Sequence, residues 1–301
     1  VKNKAANTVI QIELGNVYLG TVSEFTDRYI AFTLPGVKND IICKESFTDC
    51  KSAIENYLLT HDNKMLFEVR EYTDGKYIVS VLNAYYRQWM DNVNKSIKNN
   101  DGIDVHIDDL VQGGYVCHTS IDTLNKLTGK TYTHSVFIPG SHIVLNIEND
   151  FERWIGQDVS IIPQKFTKFV DFRKNYKTVE NSLVGSRKKI LQFIGNQNLA
   201  DLYIVHKLIE DGDTTVERET FTGIVTGPLN STTKVGIFVE LKDKYITGFL
   251  PVDEYDLLEY KKGDEIQVKI KEFETQQVKE LFVKENGKIV KCHVRPVFEL
   301  A

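Results

Sequence analysis

The strongest chemical signal in the sequence is a basic segment, 165–189, in which aromatic residues are interleaved with lysine and arginine. Its basic residues outnumber its only acidic ones, Asp171 and Glu180, although the whole chain has a net charge of -5. The basic residues are Lys165, Lys168, Arg173, Lys174, Lys177, Arg187, Lys188 and Lys189, and the rings are Phe166, Phe169, Phe172 and Tyr176. Cations neutralise phosphates and rings stack on unpaired bases, so the pattern is typical of a contact with single-stranded nucleic acid. A solvated basic hairpin whose rings face the core is the alternative interpretation.

The residue patterns of common catalytic sites do not occur in this sequence. Thr128-Gly129-Lys130 lacks the preceding spaced glycine of a phosphate-binding loop, and neither a His-Glu-x-x-His motif nor a nucleophile elbow is present. Acidic pairs such as Asp108-Asp109 fall in predicted turns, where aspartate bonds to the local backbone. We therefore expect a protein that is not an enzyme and that uses no metal and no cofactor.

The cysteines form no Cys-x-x-Cys pair, and no histidine stands at zinc-ligand spacing from two of them. They are Cys43, Cys50, Cys117 and Cys292. A chain of 301 residues does not need disulfides to fold. Buried thiols in a reducing compartment are therefore expected.

Composition is that of an ordinary globular protein. Hydrophobic residues make up 42% and charged residues 26%, with a mean hydropathy of -0.27. No apolar run approaches the roughly 18 residues of a membrane helix, and the polar start Val1–Asn7 lacks the apolar core of a signal peptide. We expect a soluble protein with no membrane partner, cytoplasmic or, if the source is viral, carried in a phage particle.

Short apolar runs with period-two alternation dominate the chain and predict strands. Examples are Val9–Leu14, Tyr29–Leu34, Met65–Glu71, Tyr77–Asn83, Gly236–Leu241 and Glu265–Glu272. Two stretches, 85–99 and 190–209, instead have apolar residues at helical spacing. The chain is predicted to contain three units, at 1–84, 101–190 and 214–301, of a size that suits a five-stranded barrel. Helical linkers at 85–100 and 191–213 separate them.

The three units share a turn between two strands and read as a divergent repeat. The turn is Val136–Ser141 in the second unit and Gly248–Asp253 in the third, and Asp40–Glu45 occupies the same place in the first. The second unit adds further motifs, which in chain order are Val111-Gln112-Gly113-Gly114-Tyr115-Val116, Trp154-Ile155-Gly156-Gln157-Asp158-Val159 and Val184-Gly185-Ser186-Arg187-Lys188-Lys189.

This order of motifs resembles the S-one repeat, the OB-fold RNA-binding domain that recurs in the largest protein of the bacterial small ribosomal subunit. The third unit is similar through Thr222–Val225, Val235–Leu241 and Gly263–Ile270, and the first unit is similar more weakly. The resemblance covers nearly the whole chain. It implies an all-β fold of tandem OB-fold five-stranded barrels joined by helical linkers.

The sequence departs from the family at several positions. Many members have a histidine after the two apolar residues of the central turn, where this chain has Cys43, Pro139 and Pro251. The second unit also carries an insertion, 169–180, between its last two strands.

The resemblance implies stacking positions on the face formed by strands 2 and 3 of each barrel. We add to them His142, beside the Pro-Gly turn, and part of the basic segment. The predicted RNA-binding residues are Tyr29, Phe32, Tyr115, His142, Lys165, Phe166, Lys168, Arg173, Lys174, Arg187, Lys188 and Phe238.

Two functions from different classes follow. The first is a single-stranded RNA-binding protein of the ribosomal S-one type, acting in translation through messenger RNA or the ribosome. The alternative is a structural or docking protein built of OB folds, such as a phage virion component or a ribosome-associated scaffold. Expected partners are single-stranded RNA and the ribosome or another protein assembly. Since residues 191–301 hold 14 basic and 19 acidic side chains, we expect the third unit to contact mainly protein.

Overall fold

The computed structural model describes residues 12–146, 150–170, 179–212, 217–231, 234–254, 256–275, 281–285, 288–292 and 294–301. The strand expected at Val9–Leu14 begins outside these ranges, and its described part, 12–14, is not a strand. Within the described ranges, no helix combines the length and the apolar character needed to cross a bilayer.

The first barrel is closed by five strands. They are β1 (Val17–Phe25), β2 (Ile30–Thr33), β3 (Ile41–Cys43), β4 (Lys64–Thr73) and β5 (Lys76–Ser80), in the order β1-β2-β3-β5-β4. Strands β3 and β5 run parallel, while the other neighbours are antiparallel. Helix α1 (Lys51–Thr60) connects β3 to β4 and buries Ile54 and Leu58.

Helix α2 (Val81–Asn99) follows β5 and packs against β4. It begins where the Ser80 hydroxyl accepts a hydrogen bond from the Asn83 N–H, and the Glu45 carboxylate accepts from the N–H of Val81. The helix ends at Asn100, whose left-handed backbone (φ 57°) is a common helix stop. This helix corresponds to the one expected at 85–99.

The second barrel is also closed by five strands. They are β6 (Ile103–Val111), β7 (Gly114–Ser120), β8 (Thr133–Pro139), β9 (Asp158–Val170) and β10 (Val179–Ser186), in the order β10-β8-β7-β6-β9. Helix α3 (Asp122–Thr128) lies between β7 and β8, and β10 runs parallel to β8.

Helix α4 (Arg187–Glu210) precedes the third barrel. The strands that follow are β11 (Thr220–Asn230), β12 (Val235–Leu241), β13 (Ile246–Pro251), β14 (Glu265–Thr275), β15 (Leu281–Glu285), β16 (Lys288–Cys292) and β17 (Val294–Leu300). The barrel order is β11-β12-β13-β17-β14, with β13 parallel to β17, and β15 and β16 form a separate two-stranded sheet.

Each barrel therefore has the same Greek-key order, in which its third and fifth strands are parallel neighbours. Five-stranded closed Greek-key barrels of this kind are typical of the OB fold. The expected fold, tandem OB-type barrels joined by helices, is confirmed. Helices α1 and α3 are additional to the two that periodicity indicated.

Packing divides the chain into two compact units. The first comprises Val1–Asp108, Val116–Phe137 and Pro163–Val184, and the second comprises Asp109–Tyr115, Ile138–Ile162 and Gly185–Ala301. The first unit contains the first barrel with α2 and α3, and the second contains α4 with the third barrel. Strands of the second barrel contribute to both units.

In the second unit, α4 is part of the core of the third barrel. Leu199 is buried together with Phe221, Val239 and Phe298. The helix comes so close to the β12–β13 turn that a Cβ at Gly195 would lie 2.1 Å from the backbone oxygen of Tyr245. The segment expected as a linker therefore caps the end of a barrel.

Cys43, Cys50 and Cys117 are buried free thiols, as expected. Burial raises the pKa of Cys43 and of Cys117 to about 12, helped by the nearby carboxylates of Glu45 and Asp108 respectively. With their pKa raised in this way, these thiols stay protonated at pH 8. They are therefore inert towards disulfide reagents, which react only with the thiolate.

We expect the folded variant Cys292→Ser to release almost no thionitrobenzoate from Ellman's reagent at pH 8. The same variant unfolded in guanidinium chloride should react at all three remaining thiols. Rapid reaction of the folded protein, followed by absorbance at 412 nm, would contradict the burial.

Candidate nucleic-acid interface

The described part of the basic segment lies partly against α2. Lys165 is exposed, but the Phe166 ring packs edge-on against Trp89 and His134, with ring centroids 6.3 Å and 5.7 Å away. The Tyr86 hydroxyl and His134 Nδ1 are hydrogen-bonded at 3.2 Å in the same aromatic cluster. Phe166 therefore stabilises the first unit. The Lys168 side chain, Arg173 and Lys174 lie outside the described residues.

Two of the rings assigned to base stacking are in barrel cores. Tyr115 is fully buried and its hydroxyl donates to the Phe151 backbone oxygen at 2.9 Å. Phe32 is buried, with its ring 4.8 Å from that of Phe67. Strand alternation turns both side chains inward, and no base can stack on a ring inside a closed barrel. Here the structure corrects the sequence-based expectation.

Tyr29 lies just before β2 and is half-buried. A hydrogen bond from its hydroxyl to Glu24 raises the pKa of Tyr29, so the ring has a carboxylate beside it. The negative charge disfavours a nearby phosphate. Tyr29 therefore has an acidic side chain as its hydrogen-bond partner.

A pair of tyrosines that the sequence argument missed lies at the β4–β5 hairpin of the first barrel. Tyr72 is 51% exposed and its ring centroid is 4.7 Å from that of Tyr77. Asn39 Nδ2 donates to the Tyr72 hydroxyl at 3.2 Å. The sequence contains a signal for this pair, because Asp74-Gly75, a typical hairpin turn, lies between the two tyrosines. The loop between strands 4 and 5 is one that OB folds use for ligands.

In the third barrel, alternation along β12 places Phe238 on the outer face. Its neighbours Ile237 and Val239 point into the core. The Phe238 ring meets Phe249 of β13 edge-on at 5.9 Å, and the Arg295 guanidinium carbon lies 5.4 Å from the Phe238 centroid. This is the face formed by strands 2 and 3, and it carries a ring with a cation, as a nucleic-acid contact requires.

A second ring with cations lies where α4 begins. The guanidinium carbons of Arg187 and Arg153 are 4.5 Å and 4.7 Å from the centroid of Trp154. Arg187 also donates to the Ile143 backbone oxygen at 2.8 Å. This bond fixes Arg187 next to His142, which is half-buried and whose buried Nδ1 has no hydrogen-bond partner among the described residues.

The first turn of α4 is unusually basic. Ser186 caps the helix by accepting from the Lys189 N–H, and the first three helical residues are Arg187, Lys188 and Lys189, with no acidic residue in that turn. The helix N-terminus carries a partial positive charge, so each cation there is disfavoured by about 0.3–1 kcal/mol. An anion bound at this end would offset that cost.

Contacts within the second unit join the segment that follows His142 to the outer face of β12 and β13. Asn146 Nδ2 donates to Glu240 Oε2 on β12 and, at 3.3 Å, to the Thr247 hydroxyl on β13. Burial raises the pKa of Glu240 although Asn146 and the nearby Lys188 ammonium act in the opposite direction. Lys188 is therefore close enough to Glu240 for its charge to act on the pKa of the carboxyl group.

We call this connected region the ring-and-cation surface. Its members are His142, Asn146, Arg153, Trp154, Arg187, Lys188, Phe238, Glu240, Thr247 and Arg295. It brings together four of the residues predicted from sequence: His142, Arg187, Lys188 and Phe238. Trp154 was noted only as part of a motif. Arg295 had no local signal, because only the pairing of β17 with β13 brings it to this face.

Across the described ranges, no cluster of three or more His, Cys, Asp or Glu side chains is arranged to hold a metal ion. The side chains of the ring-and-cation surface can stack on bases, neutralise phosphates and form hydrogen bonds.

Of three comparisons with known proteins, only the comparison with solved structures finds chains similar to this one. No protein-family model matches the chain, and no curated protein matches it. Among solved structures, it is similar to a multidomain protein with nucleic acid binding domains from Streptococcus pneumoniae TIGR4, at 10% identity over 96% of this chain and 74% of that one, with a TM-score of 0.24. It is also similar to Drosophila Unr CSD456, at 11% identity over 94% of this chain and 97% of that one, with a TM-score of 0.17. At such scores the OB assignment rests on the strand order of the barrels.

Proposed function

We propose that the protein binds single-stranded RNA through the ring-and-cation surface and acts in translation, as the resemblance to S-one repeats implies. The observation that carries the proposal is that two partly exposed rings, Trp154 and Phe238, each have at least one guanidinium group within about 5.5 Å of the ring centroid. Rings supply stacking platforms for bases, and the adjoining cations neutralise the phosphates between them.

The overall acidity of the chain does not oppose this function. Phosphates respond to charge within about a Debye length, roughly 8–10 Å at physiological salt. Arg187, Lys188 and Lys189 provide three positive charges at the start of α4, and the dipole of the helix adds to their field. The local field at this end of α4 therefore attracts an anion.

The salt dependence of binding tests the role of these cations. With the full chain and a 5′-labelled U15 RNA, we expect the logarithm of the association constant to fall linearly with that of salt concentration. The variant Lys188→Gln/Lys189→Gln should make the slope less negative by about 0.7 for each phosphate that the protein no longer neutralises.

A matched control is Lys261→Gln/Lys262→Gln, which removes two exposed lysines from a loop of the third barrel. Its slope should equal that of the wild type. Equal slopes for all three proteins would remove the start of α4 from the interface, and absence of binding to U15 at 50 mM salt would refute the proposed function.

The docking alternative is favoured by a different part of α4. Ile204, Val205 and Leu208 are each about 40% exposed and adjoin one another on the helix surface. Glu217, Arg218 and Glu219 line the neighbouring groove. An exposed apolar ridge with charged neighbours suits a protein partner. Co-sedimentation with ribosomes that survives in Lys188→Gln/Lys189→Gln but fails in Val205→Glu/Leu208→Glu would support this alternative.

A further inference from the structure

Glu240 occupies an unexpected place, because it puts a carboxylate on the face proposed to bind RNA. It is two residues from Phe238 on β12, so both side chains point outward, and their Cα atoms are about 6.5–7 Å apart. In register, Phe238 is opposite Phe249 and Glu240 is opposite Thr247. The outer face therefore has an aromatic end and a polar end, separated by roughly the width of a base.

The polar end is held in position and is rich in acceptors. Asn146 donates to Glu240 Oε2 and to Thr247, which fixes the carboxylate beside the aromatic pair. Within the described part of the chain, Glu240 Oε1 has no hydrogen-bond donor. An ionised carboxylate only accepts hydrogen bonds, so this arrangement calls for a ligand that donates.

A half-buried carboxylate is costly here for two reasons. Burial raises its pKa, which means that the ionised form loses hydration, and its charge repels the RNA backbone. Lys188 offsets part of the repulsion. A ligand edge with N–H donors, delivered by a base stacked on Phe238, would offset the rest.

The four bases differ in what they offer to a carboxylate. Guanine presents two adjacent donors on its Watson–Crick edge, N1–H and the N2 amine. Adenine and cytosine each present one amine beside a ring acceptor, and uracil presents one N–H between two carbonyl oxygens. Only guanine can satisfy a carboxylate with two parallel hydrogen bonds, which is the strongest form of such a contact.

We propose that the third barrel selects guanine, which stacks on Phe238 while Glu240 accepts from its N1–H and N2 amine. This inference rests on the proposed function, since it requires that RNA lie on the ring-and-cation surface. It differs from the expectation, drawn from net charge, that the third unit contacts mainly protein. Asn146 is a positioning residue that holds Glu240 at the edge of the stacked base.

The test uses the full chain and four labelled 13-nucleotide RNAs: U13 and three that carry guanine, hypoxanthine or adenine at the central position. Hypoxanthine keeps N1–H but lacks the N2 amine. We expect the guanine RNA to bind about tenfold more tightly than the adenine RNA, with the hypoxanthine RNA between them.

Glu240→Gln keeps the shape of the side chain but replaces one acceptor with a donor. In this variant the guanine-to-adenine ratio should fall to near one, and U13 should bind more tightly, since a negative charge is removed from the RNA-binding face. The control Glu272→Gln changes an exposed carboxylate on β14 and should keep the tenfold ratio.

The outcomes separate this inference from the proposed function. Equal binding of the guanine and adenine RNAs, with U13 still bound, overturns guanine selection and leaves RNA binding intact. Selection that persists in Glu240→Gln also overturns the inference, because another group must then recognise the base. Failure of all four RNAs to bind overturns both.

Discussion

Replacing Trp154 and Phe238 together with alanine is expected to weaken the binding of U15 RNA by at least about 30-fold. Removing each stack costs about 1–3 kcal/mol, and 1.4 kcal/mol corresponds to a factor of ten in affinity. The Arg187 and Arg295 guanidinium groups also lose the rings over which they lie. The effects of the two substitutions should add if the rings act as separate platforms.

Fluorescence anisotropy measures the RNA affinity of the double variant, of each single variant and of a control. Leu258→Ala is the control, because Leu258 is 85% exposed and lies outside the ring-and-cation surface. Its affinity should equal that of the wild type. A double variant that keeps its circular dichroism spectrum and binds within twofold of the wild type would refute the stacking role.

Tyr115→Ala is expected to lower the free energy of unfolding of the second barrel by several kcal/mol, about 3–5. Tyr115 is among the largest fully buried side chains, and truncating a buried aromatic residue costs about 3–5 kcal/mol. Tyr115→Phe keeps the ring and removes the hydroxyl that donates to the Phe151 backbone oxygen, which should cost about 1 kcal/mol. At about 2–4 °C per kcal/mol, the alanine variant should melt on the order of 10 °C lower.

Thermal unfolding followed by circular dichroism measures both changes, and U15 binding of Tyr115→Phe checks the core assignment. Its RNA affinity should match that of the wild type at a temperature where both are folded. If instead Tyr115→Ala unfolds like the wild type but loses RNA affinity, Tyr115 would be a stacking residue and its placement in the core would be wrong.

The fold was accessible from sequence because its signals are local and repeated. Alternation over Gly236–Leu241 and Glu265–Glu272 correctly indicated β12 and β14, and helical spacing indicated α2 and α4. Helix α3 was missed because its seven residues, Asp122–Thr128, are too few to show a period. The barrel cap was missed because Gly195 and Leu199 approach residues that lie far along the chain, such as Tyr245 and Val239.

The site was less accessible, since period-two alternation shows that two faces exist but not which one faces the core. Phe238 lies on the outer face, whereas Phe32 and Tyr115, chosen on the same grounds, lie inside. Two guanidinium groups lie over the Trp154 ring. Arg153 is adjacent to Trp154 in sequence, whereas Arg187 is distant and is brought there by the fold. Glu240 shows no sequence signal because its neighbour Asn146 is 94 residues away.

The position of α4 also has a consequence for biosynthesis. The ribosome makes this helix before any strand that it covers, because Leu199 precedes Phe221, Val239 and Phe298 in the chain. At a synthesis rate of about 5–20 residues per second, on the order of 5–20 s pass between the synthesis of α4 and that of β17, the last strand of its barrel. During this interval the apolar side of α4 stays uncovered on the nascent chain, and β17 completes the core that buries Leu199.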